Sequence, residues 1–460
     1  MGNINFQRFS VNKNKSQIRT NIHLLIYLSF SKICGFSKSK NSMKIAIIGS
    51  GISGIGCGYF LNKKYDLTLF EKNHYIGGHA NTATIDYAGQ TINVDTGFIV
   101  YNFKTYDNLK PFFEELKVPI SKSQMSFGIS IKNGLEYSGQ SLSGLFAQKK
   151  NLFKPQFLKM LFDIAKFNKA AIKIVEAEKF DDQTLENFIN SLNLGEYFKK
   201  YYLLPMTAAI WSCSVELMKN YPAKTFLRFF YNHGLLTITQ QPQWHTVEGG
   251  SKEYVKRATQ NFADKIKLNC GVKTVFQNAD SSFTVIDQND QQYQFDKVIF
   301  ACHGDEVLQI LQDANSDEKA ILSKFKYSQN QAVLHRDFSQ MPNNKKAWAS
   351  WVYLSANQEN QVSLTYWMNN LQNIDSNFPL FVTLNPTTKI KDELTFGTYN
   401  YTHPIFDLEA ISAQEQLPEI QGNRGVYFCG AHFRYGFHED GLLSALNVAN
   451  QLGVKASWQK

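Results

Sequence analysis

KIAIIGSGISGIGCGYFL, residues 44–61, decides the fold. It opens on a short apolar run rich in β-branched residues, the pattern of a buried parallel strand. The run breaks into Gly49-Ser50-Gly51-Ile52-Ser53-Gly54 and continues as small and apolar residues in a helical rhythm. A second strand pattern, DLTLF at 66–70, then ends at Glu71, 17 residues after Gly54. Each part has a physical job in a dinucleotide-binding unit. Gly49 makes the tight turn, Gly51 lets the backbone approach a pyrophosphate, and Gly54 lets the helix pack closely on the strand. The helix start offers free N–H groups and a partial positive charge to phosphate. Glu71 is placed to accept from ribose hydroxyls. Ser50 and Ser53 in the loop, and Lys72 beside the acid, join the candidate cofactor-binding residues. The unit alone does not choose between FAD and NAD, which share the AMP half.

The far end of the chain repeats the logic. GVYF (425–428) reads as a strand and enters Cys429-Gly430-Ala431, then RYGFHEDG (434–441). A helix follows, with Leu442, Leu443, Leu446, Val448, Ala449 and Leu452 on a broad apolar face. Asp440 is the expected N-cap. Between the two ends, DKIKL (264–268) leads through Cys270 into VKTV (272–275), a hairpin pattern, and the strand KVIF (297–300) entering Ala301-Cys302.

Six residues after Glu71 comes Gly77-Gly78-His79, then Asn81-Thr82 and a hairpin-like stretch through Asp95-Thr96-Gly97. Here the chain resembles the flavin-containing amine oxidase and phytoene desaturase superfamily. The resemblance implies that Gly77, Gly78 and His79 approach the phosphates and flavin of FAD, with His79 standing where the family usually has Arg. It implies that Gly97, Gly430 and Gly441 belong to the FAD site, and that Val272 meets the adenine through its backbone. It also implies that the helix start near His438 faces the flavin. Longer stretches are similar to bacterial proteins known only as NAD/FAD-binding or amine oxidase-like: VDTGFIVYN (94–102), PMTAAIWS (205–212), NHGLL (232–236), PQWHTVEGGSKEYV (242–255), TYWMNNLQ (365–372), TLNP (383–386) and GFHEDGLLSAL (436–446). The resemblance runs from Met43 to about Gly453. Genes of this group are often found beside cyclopropane-fatty-acid-synthase-like methyltransferases, which implies an acyl-lipid substrate and a lipid methyltransferase partner. Two departures matter. GTYNY (397–401) has no Cys where covalent FAD would attach, so FAD is expected to be non-covalent. Phe437 follows Gly436 where a monoamine-type enzyme would place a cage tyrosine.

Of 460 residues, 43% are hydrophobic and 19% charged, an ordinary globular composition. The net charge is +9, but residues 1–42 hold seven basic residues and no acid. The basic balance therefore gives no reason to expect nucleic acid. Two readings of this leader stand: a targeting peptide, or an extension outside the native fold, with the functional chain starting at Met43. Its apolar stretch, Ile22 to Phe30, is far short of the ~20 residues that cross a bilayer. The six cysteines form no CxxC pair. That is reduced-compartment usage, without a metal site, and the expected home is cytoplasmic.

The fold class that follows is α/β with an α+β substrate part. A Rossmann-like FAD-binding domain is assembled from 43–105, 231–305 and 401–460, and a substrate domain from 106–230 and 306–400. Residues 106–230 read mostly helical, with Leu185, Phe188, Ile189 and Leu192 as one stripe. Phe153 to Ile174 mixes bulky apolar residues with lysines, which fits either a core helix with a solvated Lys face or a surface resting on anionic lipid. Residues 330–400 read as aromatic-rich strands. No Ser-His-Asp set or nucleophilic Cys stands out, and hydride transfer to a flavin needs none. Polar pocket candidates are Asn102, Ser212, Tyr366, Asn369, His432 and His438. Of these, His438 is the catalytic candidate, as a donor to the flavin or a proton carrier near neutral pH. The expected function is oxidation of an organic, acyl-lipid type substrate by non-covalent FAD. The alternatives are a flavin amine oxidase, a redox-neutral flavin isomerase, and a non-catalytic FAD-binding partner of a methyltransferase. Peripheral membrane contact is a further expectation.

Overall fold

A computed structural model describes residues 42–131, 134–181, 183–211, 219–232, 234–237, 241–355 and 363–459. Readings placed on the leader to Asn41, and on Ser212, lie outside these residues.

The central sheet has five parallel strands in the spatial order Ile266–Lys267, Asp66–Phe70, Lys44–Ile48, Lys297–Phe300, Val426–Phe428. Strands distant in sequence thus become neighbours, as a domain built from discontinuous segments requires. The first strand shows why its run is apolar on both faces. Ile45 and Ile47 pack with the helices Ile52–Leu61 and His438–Gln451, while Ala46 and Ile48 pack on the other side with Val275, Phe283 and Val285. Period-two alternation with cover on both sides leaves no polar face. Gly54 lies where helix meets strand: a Cβ there would stand 1.9 Å from the Gly49 carbonyl oxygen.

A seven-stranded sheet forms the second body. Its order is Thr395–Ile405, Lys326–His335, Phe381–Leu384, Ser363–Trp367, Trp351–Ser355, Phe127–Ile131, Glu136–Ser138. Pairing is antiparallel except between Trp351–Ser355 and Phe127–Ile131. The helices Pro155–Glu176, Leu185–Ser191 and Ala223–Asn232 pack into one core cluster around Phe157, Phe167, Phe188, Phe226 and Phe230. Leu185, Phe188 and Ile189 are buried as their spacing predicts, and Thr184 caps their helix by accepting from the Asn187 amide. The mostly helical reading of 106–230 needs one amendment. Ile120–Ser123, Phe127–Ile131 and Glu136–Ser138 are strands, because partners more than a hundred residues away in sequence complete the ladders of the first two, and the third pairs locally with the second. The boundary placed at 400/401 falls inside the continuous strand Thr395–Ile405.

One buried acid joins several elements. Asp95, at the end of the hairpin Thr82–Tyr87/Gln90–Asp95, accepts from Thr82 Oγ1 (2.6 Å), Ser251 N (2.8 Å), Ser251 Oγ (2.7 Å) and Gln372 Nε2 (2.8 Å). Burial raises its pKa to about 6, against the opposing pull of these donors.

Candidate functional site

In an open parallel sheet, ligands bind beyond the carboxyl ends of the strands. Here four such ends converge. Gly49–Ser53, Glu71 and Lys72, Ala301–His303, and Gly430–Ala431 all line one cavity of about 830 Å³. Its other wall comes from the seven-stranded sheet, through Trp351, Tyr366 and the run Asn400–Pro404.

Glu71 is 6% exposed and its oxygens are already organised. Oε2 accepts from Ser50 N (3.1 Å) and Ser50 Oγ (2.6 Å), and Oε1 from Asn73 N and Nδ2 (both 2.8 Å). The acid that would take a ribose thus also fixes the glycine loop. Glu71→Ala should weaken FAD by about ten- to a hundredfold, the loss of a charge-assisted hydrogen bond worth ~1.5–3 kcal/mol. Titration of the stripped protein with FAD measures it, and an unchanged affinity would reject the assignment.

Two observations test whether the residues suit a dinucleotide. First, a Cβ built on Gly51 would meet no atom within 4 Å. The protein itself does not need glycine there, and the open space lies over the helix N-terminus, where a pyrophosphate would sit. Second, His79 Nε2 and His403 Nδ1 are buried without a hydrogen-bond partner among the described residues, and both rings line the cavity. Buried polar atoms are normally paired, so a ligand with acceptors or donors at this level completes the wall. The residues fit FAD.

The other predicted residues divide. Gly49, Ser50, Ser53, Lys72, Gly78, His79, Gly97, Val272 and Gly430 line the cavity. Lys72 Nζ is held by Glu306 Oε1 at 2.5 Å. Gly54, Gly77 and Gly441 do not line it. Gly77 donates its N–H to Ser50 O behind the loop (2.9 Å), and a Cβ on Gly441 would stand 2.7 Å from Ile52 Cγ2. Gly441 is therefore a helix-packing position. His79 stacks on Tyr401 (4.9 Å between ring centres). Burial first, then the neighbouring His403, His303 and His438, pushes its pKa well down, so the ring is neutral and cannot replace a family Arg as a cation.

His438 also lines the cavity, but not as a neutral-pH proton carrier. Its ring stacks on Phe98 at 3.7 Å and its Nε2 bonds the Tyr254 hydroxyl at 3.0 Å. Burial lowers its pKa to about 3, so it stays uncharged through the physiological range. Asp440 is not the N-cap. Phe437 holds that position, and Asp440, three residues on, accepts from the amides of Phe437 (2.9 Å) and Tyr435 (3.2 Å). Tyr366 and His432 reach the cavity. Asn102 and Asn369 do not: Asn102 accepts from the Lys104 and Thr105 amides, and Asn369 clasps Ile374, Asp375 and Phe378 carbonyls.

Sequence reading passed over His303, Tyr401 and His403. His303 follows the strand exit Ala301-Cys302 and was open to the same strand-end logic as Gly430. Tyr401 and His403 carry no local signal. They arrive through the register of Thr395–Ile405, where Tyr401 meets Thr96 Oγ1 (2.7 Å).

Residues 47–116 match the NAD(P)-binding Rossmann-like domain family. No curated protein matches the chain in sequence. The fold is similar to that of a CLA-producing fatty acid isomerase from P. acnes, at 15% identity, over 90% of this chain and 99% of that one, with a TM-score of 0.64. It is similar to cyclohexylamine oxidase from Brevibacterium oxydans IH-35A, at 14% identity, over 90% and 100%, with a TM-score of 0.64. It is also similar to putrescine oxidase bound to putrescine, at 15% identity, over 89% and 98%, with a TM-score of 0.62. At these identities the likeness shows the fold alone, one shared with these oxidases and this isomerase.

Proposed function

We propose, from that fold and this cavity, that the chain is an FAD-dependent oxidoreductase acting on an apolar, acyl-lipid type substrate, with FAD held non-covalently. One observation carries the substrate class. Among the described residues lining the cavity, the charged ones are Glu71 and Lys72, at the strand end assigned to the AMP half, and Glu306, on the helix Gly304–Ile310, which is paired with Lys72. Ile99, Val100, Trp244, Trp351, Leu384 and Phe437 add a broad apolar wall. A hydrocarbon chain is held in such a wall by burial, at ~0.8 kcal/mol per CH₂. A protonated amine would want a free carboxylate beside it, and the lining carboxylates are already engaged, Glu71 with Ser50 and Asn73 and Glu306 with Lys72.

Bound FAD would supply the hydride acceptor. The chain's own residues do the rest. The amides of Gly49–Ser53 would hold the pyrophosphate and Glu71 the ribose. Tyr401 and Thr96, bonded to each other, would fix the wall beside the flavin, and the apolar wall would orient the substrate and exclude water. The isomerase alternative draws support from the likeness to a fatty acid isomerase. Anaerobic mixing separates the readings. Flavin bleaching by an unsaturated acyl substrate, and none by simple amines, is expected. Rapid bleaching by an amine with no response to any lipid would restore the amine oxidase. Lipid turnover without net bleaching would mark an isomerase.

A further inference from the structure

The helical layer carries a surface that the cavity does not explain. Ten large hydrophobic side chains are exposed among the described residues, and five of them fall within 142–162. They are Leu142 (78% exposed), Leu152 (44%), Phe153 (86%), Leu158 (44%) and Phe162 (70%). Leu158 and Phe162 are four apart on the helix Pro155–Glu176, so they share its outer face, while Phe157, Met160, Phe167 and Ala171 fill the core on the inner one. This helix is therefore apolar on two sides. An outward Phe at 86% exposure gains nothing in water, and a cluster of this kind marks a surface that meets something.

Charge says what it meets. Residues 142–173 contain seven lysines and one acid. That acid, Asp163, is buried and bound to Lys159 Nζ at 2.8 Å, so it presents no free negative charge. Lys149, Lys150, Lys169 and Lys173 are exposed and make no ion pair among the described residues. The chain from Met43 onward carries only +2 and this stretch alone carries +6, so the rest of that body is net acidic. Leu158 and Phe162 share the outer stripe of their helix with Lys169 and Lys173, and exposed Phe and Leu interleaved with lysine is the chemistry of a surface that sits at the headgroup level of an anionic bilayer, with apolar side chains dipping in and ammonium groups on the phosphates. No helix of the described residues is long and apolar enough to cross a membrane.

We propose that the Leu142–Lys173 face docks the protein on anionic lipid bilayers. The inner side of the same layer reaches the cavity. Phe229, in the core cluster shared with the docking helix, stacks on Phe437 of the cavity wall. A bilayer on the outer face would thus lie one helical layer from the apolar wall of the site. The docking claim itself does not rest on the substrate reading.

The test is co-sedimentation of the full chain with vesicles of phosphatidylcholine alone or mixed with about a third phosphatidylglycerol. The parent, a Phe153→Ser/Phe162→Ser variant and a Lys149→Glu/Lys150→Glu variant are compared. These side chains are exposed, so thermal melting and flavin content should match in all three. The parent should bind the anionic vesicles, more weakly at high salt, and each variant should lose at least about tenfold in affinity. The basic leader is present in every arm, so a difference between arms reads the patch alone. Equal binding in all three, as the leader alone would give, overturns the proposal. So does a parent that ignores vesicles and sediments as a dimer that Phe153→Ser/Phe162→Ser dissociates.

Discussion

A Gly51→Val protein is expected to fold like the parent and to bind FAD at least about a hundredfold more weakly, a loss of ~2.7 kcal/mol or more. The reasoning rests on what surrounds that one carbon. Gly51 has φ −67° and ψ −178°, which any residue adopts, and a Cβ there meets no protein atom within 4 Å. The added isopropyl group would stand over the start of the helix Ile52–Leu61, in the space assigned to the pyrophosphate. It would also keep the phosphates from the free N–H groups. Gly54→Ala is the contrasting control. Its methyl would press to 1.9 Å from the Gly49 carbonyl, so it should damage the fold first and the cofactor only in consequence. Circular dichroism melting and FAD titration on both proteins separate the cases. A Gly51→Val protein that takes up FAD normally would remove the pyrophosphate from this loop.

Asp95→Ala should cost about 3–4 kcal/mol of stability, because it strands several buried donors at once. The Ser251 amide and the Gln372 side chain both point at this carboxylate, and alanine offers them nothing. Since these donors come from three separate parts of the chain, the change should loosen the hairpin, the Lys252–Thr259 helix and the Met368–Gln372 turn together. A loss below about 1 kcal/mol in urea unfolding would mean that the acid is not the tie described. The pH dependence follows from the sign. Burial raises the folded pKa to about 6, above that of the unfolded chain. From about pH 4 to 6 the folded state therefore holds a proton that the unfolded state has released. This group's contribution to stability is greatest below that window and falls as pH rises through it. Asp440, raised by burial to about 7, acts in the same sense. The parent's urea midpoint should gain from these two acids on going from pH 8 to pH 5, and Asp95→Ala should remove part of that gain.

The sequence carried the dinucleotide half of the site well, because its signals are local. A strand, three glycines at fixed spacing, and an acid at the next strand's end are all encoded within about thirty residues. The same locality explains where reading failed. Asp440 had the right chemistry for a cap, but the chain turns three residues earlier than the apolar pattern suggests, so the carboxylate reaches back to Phe437 instead. His438 looked like a titrating group because its loop was placed correctly. Nothing local could show that Phe98 and Tyr254 would enclose it. Tyr401 and His403 became wall residues through pairing with Lys326–His335, some seventy residues away, and a single sequence does not encode that register legibly. Gly441 illustrates the reverse error: a glycine near a cofactor was read as touching it, when its absent side chain makes room for a neighbouring helix.

The strand order of the parallel sheet also governs how the protein comes into being. Lys44–Ile48 is made long before one of its two neighbours, Lys297–Phe300, and Val426–Phe428 lies beyond that. At roughly 5–20 residues per second, the first strand waits roughly 10–50 s for that neighbour. During that interval Ile45 and Ile47 lack much of their cover, and the cofactor loop has no wall from Ala301 or Gly430. Flavin can be captured only after the segment that carries Gly430 has been made. Pairing strands so distant in sequence is intrinsically slow, and the half-made sheet is an exposed edge open to aggregation. Supply of FAD and chaperones during synthesis should therefore set the yield of this protein more than the stability of its finished fold.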